Sequence, residues 1–143
     1  MHGCEWVVEA YGCDPARLAD VDALGAVFAR AVADLDLRPV APALWHRFPG
    51  AGGVTGLCLL AESHLTVHTF PEHASLCLNL FCCRPRPEWD FAGLLRELVG
   101  ADAVRVRRLD RTYAAPAAPA QTVAPAPTGT DSAWVAAAPC PRD

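Results

Sequence analysis

Polar side chains interrupt a mostly apolar stretch in the middle of the chain, at Glu62, Ser63 and His64. From His64 to His68 every second residue is polar, so an extended strand would place both imidazoles on one face. A serine hydroxyl can act as a nucleophile, and imidazole exchanges protons near neutral pH. The pattern therefore indicates nucleophilic or acid–base chemistry, with a purely structural tight turn at Glu62-Ser63 as the alternative.

The residue types argue against a hydrolase and exclude mechanisms that need lysine. Ser63 lacks the G-x-S-x-G surroundings of a hydrolase nucleophile elbow. All twelve basic residues are arginine, so the chain has no lysine for a pyridoxal phosphate Schiff base or for a P-loop. If this chain performs covalent catalysis on an amine through a carbonyl group, that carbonyl must have another source.

The composition favours a globular cytoplasmic protein with neither nucleic-acid nor membrane partners. Hydrophobic residues make up 52% of the 143 residues, and the net charge of -4 provides no basic surface for nucleic acid. The sequence has no run of about 18 apolar residues and no secretory signal. Seven cysteines, an odd number without a C-x-x-C pair, predict reduced thiols and no metal site.

Hydrophobic periodicity and turn residues predict the elements that must position this stretch. We expect strands over residues 5–11, 54–61, 65–70, 76–83 and 103–107. We expect one helix from Asp14 to Leu35 and a second from Pro87 to Gly100. This order predicts an α+β two-layer sandwich, with an antiparallel or mixed sheet covered by helices on one face.

The composition changes at residue 114. The last thirty residues contain eleven Ala and six Pro but no Leu, Ile or Phe. Such a segment buries too little apolar surface to offset the entropy lost on ordering. We therefore expect residues 1–113 to form the folded domain and residues 114–143 to be a disordered tail.

The stretch from Glu62 to Glu72, E-S-H-L-T-V-H-T-F-P-E, resembles a motif of the bacterial and archaeal S-adenosylmethionine decarboxylase proenzymes. The segment N-L-F-C-C at residues 79–83 resembles a second motif of that family, H-R-F at residues 46–48 a third, and E-A-Y-G-C at residues 9–13 the end of its first strand. The resemblance covers roughly residues 3 to 110, and the tail has no counterpart in it.

The resemblance implies that the chain cuts itself between Glu62 and Ser63, giving a β chain of residues 1–62 and an α chain of residues 63–143. The Ser63 hydroxyl would attack the Glu62 carbonyl, and elimination from the resulting ester would leave a pyruvoyl group derived from Ser63. This covalent cofactor would form a Schiff base with S-adenosylmethionine and release CO2. The product is the aminopropyl donor for spermidine biosynthesis. Such a self-made carbonyl also explains how the chain manages without lysine.

The resemblance also assigns roles to single residues. Cys83 matches the proton donor in decarboxylation, and His68 matches the proton acceptor in self-processing. Thr55 stands where the family usually has a serine that supports processing. Strand alternation independently favours Cys83 over Cys82, because Cys82 shares a face with only apolar residues.

Substrate-binding positions of the family match Phe48, Phe70 and Glu72. Aromatic faces suit an adenine and a sulfonium cation, and a carboxylate suits ribose hydroxyls. The sequence departs from the family pattern at four positions: Thr55 replaces Ser, Phe70 replaces Trp, Asn79 replaces Asp, and Glu5 stands at a basic or His position.

Two alternatives stay open at this point. The first is a pyruvoyl-dependent decarboxylase of ornithine or arginine, with which the altered pocket residues are also compatible. The second is a non-cleaving regulatory paralogue. A sheet covered on only one face further predicts a homodimer of cleaved αβ units.

Overall fold

The structure, a computed structural model, describes residues 2–114. Six strands form one sheet with the spatial order β2-β3-β4-β5-β1-β6, and each neighbouring pair is antiparallel. The strands are β1 His2–Tyr11, β2 Leu44–Arg47, β3 Val54–Leu60, β4 Ser63–Phe70, β5 Ser75–Cys82 and β6 Ala103–Thr112. The predicted α+β sandwich is confirmed, and its sheet is antiparallel rather than mixed.

Three helices accompany the sheet: α1 Pro15–Leu18, α2 Val21–Asp34 and α3 Phe91–Val99. The prediction of a single helix from Asp14 to Leu35 is wrong, because the chain leaves the helical conformation at Asp20 (φ -100°, ψ 111°). The Asp20 side chain then accepts a hydrogen bond from the Asp22 N–H at 2.9 Å. Asp20 is therefore the N-cap of a new helix.

The sheet has an apolar face and a polar face. Alternate residues of the central strands are buried, among them Trp6, Val8, Leu65, Leu78 and Leu80. In β4 the residues between them are half-buried and include both histidines of the 62–68 stretch. Each fully buried large apolar side chain contributes about 1.5–3 kcal/mol, which fixes the register and keeps the histidines on the other face.

The edge strand β2 packs closely on its neighbour through a glycine. An added Cβ at Gly56 would lie 2.2 Å from Cζ3 of Trp45, which is directly opposite in the β2–β3 pair. The Trp45 ring in turn packs on Phe28 of α2, with ring centroids 4.9 Å apart. Gly56 thus lets the indole lie across β3 on the face that α2 covers.

The last strand is longer than predicted, since β6 pairs with β1 from Ala103 to Thr112. Most of β6 is exposed at the sheet edge, so its outer half carries no burial pattern in the sequence. Of the predicted tail, only Ala114 lies within the described residues. None of the helices in residues 2–114 is long and apolar enough to cross a membrane.

Candidate active site

The Glu62-Ser63 bond lies in the tight turn between β3 and β4. Ser63 has a φ of 146°, which is unusual for a residue with a side chain and favours glycine. The Glu62 side chain is only 6% exposed. Its Oε1 accepts hydrogen bonds from Arg86 Nη2 at 2.8 Å and from the Arg38 N–H at 3.2 Å. These contacts anchor the residue before Ser63 while the backbone of Ser63 is strained.

The carbonyl of Glu62 is held by the end of the neighbouring strand. Its oxygen accepts a hydrogen bond from the Cys83 N–H at 2.8 Å, and Ser63 lies opposite Cys82 in the β4–β5 pair. An N–H aimed at this oxygen withdraws electrons from the carbonyl and would stabilise negative charge on it. This hydrogen bond therefore makes the Glu62 carbonyl carbon more electrophilic.

The two adjacent cysteines differ in exposure. Cys82 is fully buried, and burial raises the pKa of its thiol to about 11. Cys83 follows the end of β5 and is exposed. It lines two cavities: one of about 240 Å³ shared with Glu62 and Arg86, and one of about 600 Å³ shared with Phe81 and Tyr113. Of these two cysteines, Cys83 is thus the one whose thiol a molecule in these cavities can reach.

A chain of hydrogen bonds leads away from the Ser63 hydroxyl. Ser63 Oγ lies 3.2 Å from His64 Nδ1, and His64 Nε2 lies 3.0 Å from Asn79 Oδ1. Asn79 Nδ2 donates to Glu5 Oε1 at 2.8 Å, and Glu5 pairs with Arg111 at 3.3 Å. Each side chain of this network lies on one of the strands β4, β5, β1 and β6, so the sheet itself positions the hydrogen bonds.

A second cluster surrounds His68. Its Nδ1 lies 2.6 Å from Thr55 Oγ1, directly across the β3–β4 pair. The His68 ring makes edge contacts with Phe70 and Phe48, whose centroids lie 4.5 and 5.5 Å away. Glu72 follows as an exposed residue of the 3-10 turn Pro71–His73. An imidazole between two half-exposed aromatic rings offers both a proton-exchanging group and apolar faces.

The two clusters lie at opposite ends of β4. Ser63 and His68 are five residues apart along this strand, which separates them by about 16 Å at about 3.3 Å per residue. The structure brings Glu62, Ser63 and Cys83 together at one end of β4. At the other end it brings Thr55, His68 and the two Phe rings together. Within one copy of the chain, His68 is therefore out of reach of Ser63.

Sequence reasoning missed the residues that support the turn. Arg86 lies between β5 and α3, where no periodic pattern marks a buried partner for Glu62. The hydrogen bond between Asn79 and Glu5 joins two positions that differ from the family pattern, and strand spacing alone does not indicate that they touch. Within residues 2–114, no group of three or more His, Cys, Asp or Glu side chains is arranged to hold a metal ion.

Comparison with known proteins connects this geometry to one family. The model of the S-adenosylmethionine decarboxylase family matches residues 4–112. An S-adenosylmethionine decarboxylase proenzyme of Geobacillus kaustophilus is 33% identical over 107 residues, which are 73% of this chain and 83% of the relative. One of Parasynechococcus marenigrum is 37% identical over 125 residues, 86% of this chain and 94% of the relative.

A solved structure shares the fold. The crystal structure of the adenosylmethionine decarboxylase from Aquifex aeolicus superposes with a TM-score of 0.64 at 21% sequence identity, covering 79% of this chain and 92% of that chain. The match of the family model to residues 4–112 confirms the family that the sequence motifs indicated. The chain belongs to the S-adenosylmethionine decarboxylase family, a family of decarboxylating enzymes.

Proposed function

We propose that this chain is an S-adenosylmethionine decarboxylase proenzyme that cleaves itself between Glu62 and Ser63. The observation that carries the proposal is the strained Ser63 (φ 146°) directly after a carbonyl held by the Cys83 N–H at 2.8 Å. Strain at such a residue costs about 1–3 kcal/mol and persists only where the surroundings enforce it. Rearrangement of this bond relieves the strain.

Each residue near the bond has a role in this proposal. Ser63 Oγ attacks the Glu62 carbonyl carbon, and the Cys83 N–H stabilises the oxyanion that forms. Arg86 and the Arg38 N–H keep the Glu62 side chain in place during the attack. The ester formed in this way then loses the Ser63 Cα proton to His68, the processing base that the family resemblance implies.

These residues fit the pyruvoyl group that the family name implies, since Ser63 is strained and half-buried, and its neighbours Glu62 and Cys83 line an open cavity. When present, that group supplies the carbonyl that binds the substrate amine and withdraws electrons as CO2 leaves. The exposed Cys83 thiol then delivers the proton to the substrate Cα. Phe48, Phe70 and Glu72 are the proposed contacts to the adenosyl part of the substrate.

The separation of the two clusters supports a homodimer of cleaved αβ units. If His68 acts on the ester at Ser63, and the two lie about 16 Å apart in one copy, then His68 must come from a second copy. In a two-fold dimer, the Ser63 end of β4 in one copy would lie beside the His68 end of β4 in the other copy. This arrangement would form two identical composite sites. Exposed Leu57 and Leu59 on β3 provide apolar surface for such a contact. The cytoplasm is the expected location.

The experiment that tests this function is a comparison of substrates. Purified protein is incubated separately with S-adenosylmethionine, ornithine and arginine, and released CO2 and the product amine are measured. We expect release from S-adenosylmethionine alone, because the half-exposed Phe48 and Phe70 rings suit an adenosyl group. Release from ornithine or arginine instead would assign a different substrate, and no release from any of the three would contradict the proposal.

A further inference from the structure

The hydrogen bonds around Asn79 fix which way its side-chain amide points. One amide atom contacts Glu5 Oε1 at 2.8 Å and the Trp6 carbonyl oxygen at 3.3 Å. A carboxylate and a carbonyl can only accept, so this atom is the NH2 group. The amide oxygen therefore faces His64.

The amide oxygen in turn fixes the tautomer of His64. An oxygen that can only accept lies 3.0 Å from His64 Nε2, so Nε2 carries the hydrogen. In neutral imidazole the other nitrogen then has a free lone pair. That nitrogen, Nδ1, lies 3.2 Å from Ser63 Oγ and accepts the hydroxyl proton.

His68 cannot take this proton within the same copy. It lies about 16 Å farther along β4, and its Nδ1 is engaged with Thr55 Oγ1 at 2.6 Å. Among residues 2–114, His64 is the imidazole in hydrogen-bond distance of the Ser63 hydroxyl. The two histidines therefore contact different groups: His64 is hydrogen-bonded to the Ser63 hydroxyl, and His68 to the Thr55 hydroxyl.

We propose that His64 is the base that takes the Ser63 Oγ proton as this oxygen attacks the Glu62 carbonyl, and that Asn79 and Glu5 are positioning residues that hold His64 in the required tautomer. The inference rests on the self-cleavage proposed above. It adds a first base for the attack to the second base, His68, which acts on the ester.

The step balances without any co-reactant. The Oγ–C bond forms, the carbonyl electron pair moves onto oxygen, and the Oγ proton moves to His64 Nδ1. When the peptide C–N bond breaks, its electron pair stays on the Ser63 nitrogen, and this nitrogen takes the proton back from His64. The products are an ester and an amine, and His64 is again neutral.

Asn79 and Glu5 stand at two of the four positions where this sequence departs from the resembled pattern, and the two side chains touch. An asparagine beside His64 could present either its oxygen or its NH2 group. Glu5, itself paired with Arg111, binds the NH2 group and leaves only the oxygen for His64. The two departures therefore act together as one unit.

The first test follows the cleavage of freshly made precursor over time in wild type, His64→Ala and the control Arg96→Ala. Arg96 is exposed on α3, away from both ends of β4. We expect Arg96→Ala to cleave normally and His64→Ala to cleave at least about 100-fold more slowly, the usual loss for a missing base. Added imidazole should restore part of the rate, and hydroxylamine should cause no rapid extra cleavage, because the ester forms slowly and does not accumulate.

Cleavage of His64→Ala at the wild-type rate would overturn the proposal, and so would a slow rate that imidazole leaves unchanged. A wild-type chain that never cleaves would instead contradict the proposed function. By contrast, His68→Ala should accumulate the ester and be cut by hydroxylamine at residue 63. The two proposals thus fail in different ways.

A second test does not depend on how His64→Ala folds. Asn79→Asp places a carboxylate against Glu5, so we expect slow cleavage, whereas the double variant Asn79→Asp/Glu5→Gln restores a donor–acceptor pair and should recover much of the rate. Circular dichroism and thermal melting verify that each variant is folded. A double variant as slow as Asn79→Asp alone would overturn the positioning role.

Discussion

At the scale of single residues, backbone strain at Ser63 is a measurable quantity. Both Ser63→Ala and Ser63→Gly lack the hydroxyl and should stay uncleaved, so their stabilities can be compared as intact chains. Strain at φ 146° destabilises Ser63→Ala by about 1–3 kcal/mol. Ser63→Gly avoids this strain but is destabilised by about 0.5–1 kcal/mol, because glycine loses more conformational entropy on folding. We expect Ser63→Gly to be more stable than Ser63→Ala by about 1 kcal/mol in urea denaturation. A Ser63→Gly chain that is less stable than Ser63→Ala by about 0.5–1 kcal/mol would show that the turn is unstrained.

The neighbouring cysteines provide a second pair of matched variants. Self-cleavage uses only the backbone N–H of Cys83, so Cys83→Ala should still cleave but should decarboxylate at least about 100-fold more slowly without its proton donor. Cys82→Ala removes a buried side chain and should keep its activity while losing about 1 kcal/mol of stability. Wild-type turnover by Cys83→Ala would contradict the assigned role.

Alkylation of the native protein gives an independent measurement at the same two residues. Iodoacetamide reacts with the thiolate, and burial raises the Cys82 pKa to about 11, so this thiol stays protonated and shielded. Cys83 is exposed and should be labelled first of the two. Peptide mass mapping distinguishes the sites.

At the scale of elements, the packing of β2 depends on Gly56. An added Cβ there would meet the Trp45 ring at 2.2 Å, whereas an added Cβ at Gly25 in α2 would meet nothing within 4 Å. We expect Gly56→Ala to lose about 1–3 kcal/mol from overpacking. Gly25→Ala, the matched control, should gain about 0.5–1 kcal/mol. Urea denaturation measures both, and equal effects would contradict the close packing of Trp45.

The elements were predictable where burial alternates or repeats along the chain. In β5 the alternation placed Leu80 and Cys82 inward, and the structure has both buried. The break at Asp20 was not predictable from periodicity, because apolar residues continue at helical spacing on both sides of it. Likewise, the outer half of β6 is exposed at an edge, so no buried face marked where that strand ends.

The site was predictable only in part, for a related reason. Glu62 and Ser63 are neighbours in the chain, and the motif identified them directly. The position of Cys83 beside them depends on the register of β4 and β5, which tertiary packing sets. The anchoring of Glu62 by Arg86 depends on the path of a non-periodic segment, and no local pattern indicates it.

At the scale of the whole molecule, the distance between the two clusters predicts complementation between inactive copies. Ser63→Ala lacks the nucleophile and His68→Ala lacks the processing base, so neither should mature alone. In a mixed dimer, the Ser63 of one copy meets the His68 of the other, and one complete site forms. We expect co-expression to restore cleavage of the His68→Ala chain only.

Mass spectrometry distinguishes the two chains in that mixture by their substitutions. If each site is formed within one copy, co-expression changes nothing and both chains stay intact. Cleavage of the Ser63→Ala chain would contradict the assignment of the nucleophile.

The mass of the purified wild-type protein under denaturing conditions shows whether Ser63 becomes the reactive carbonyl. We expect two chains, residues 1–62 and residues 63–143, with the second blocked to Edman degradation. After incubation with S-adenosylmethionine and cyanoborohydride, the second chain should gain the mass of the trapped amine. A single unmodified chain of 143 residues would show that Ser63 is not converted to a carbonyl.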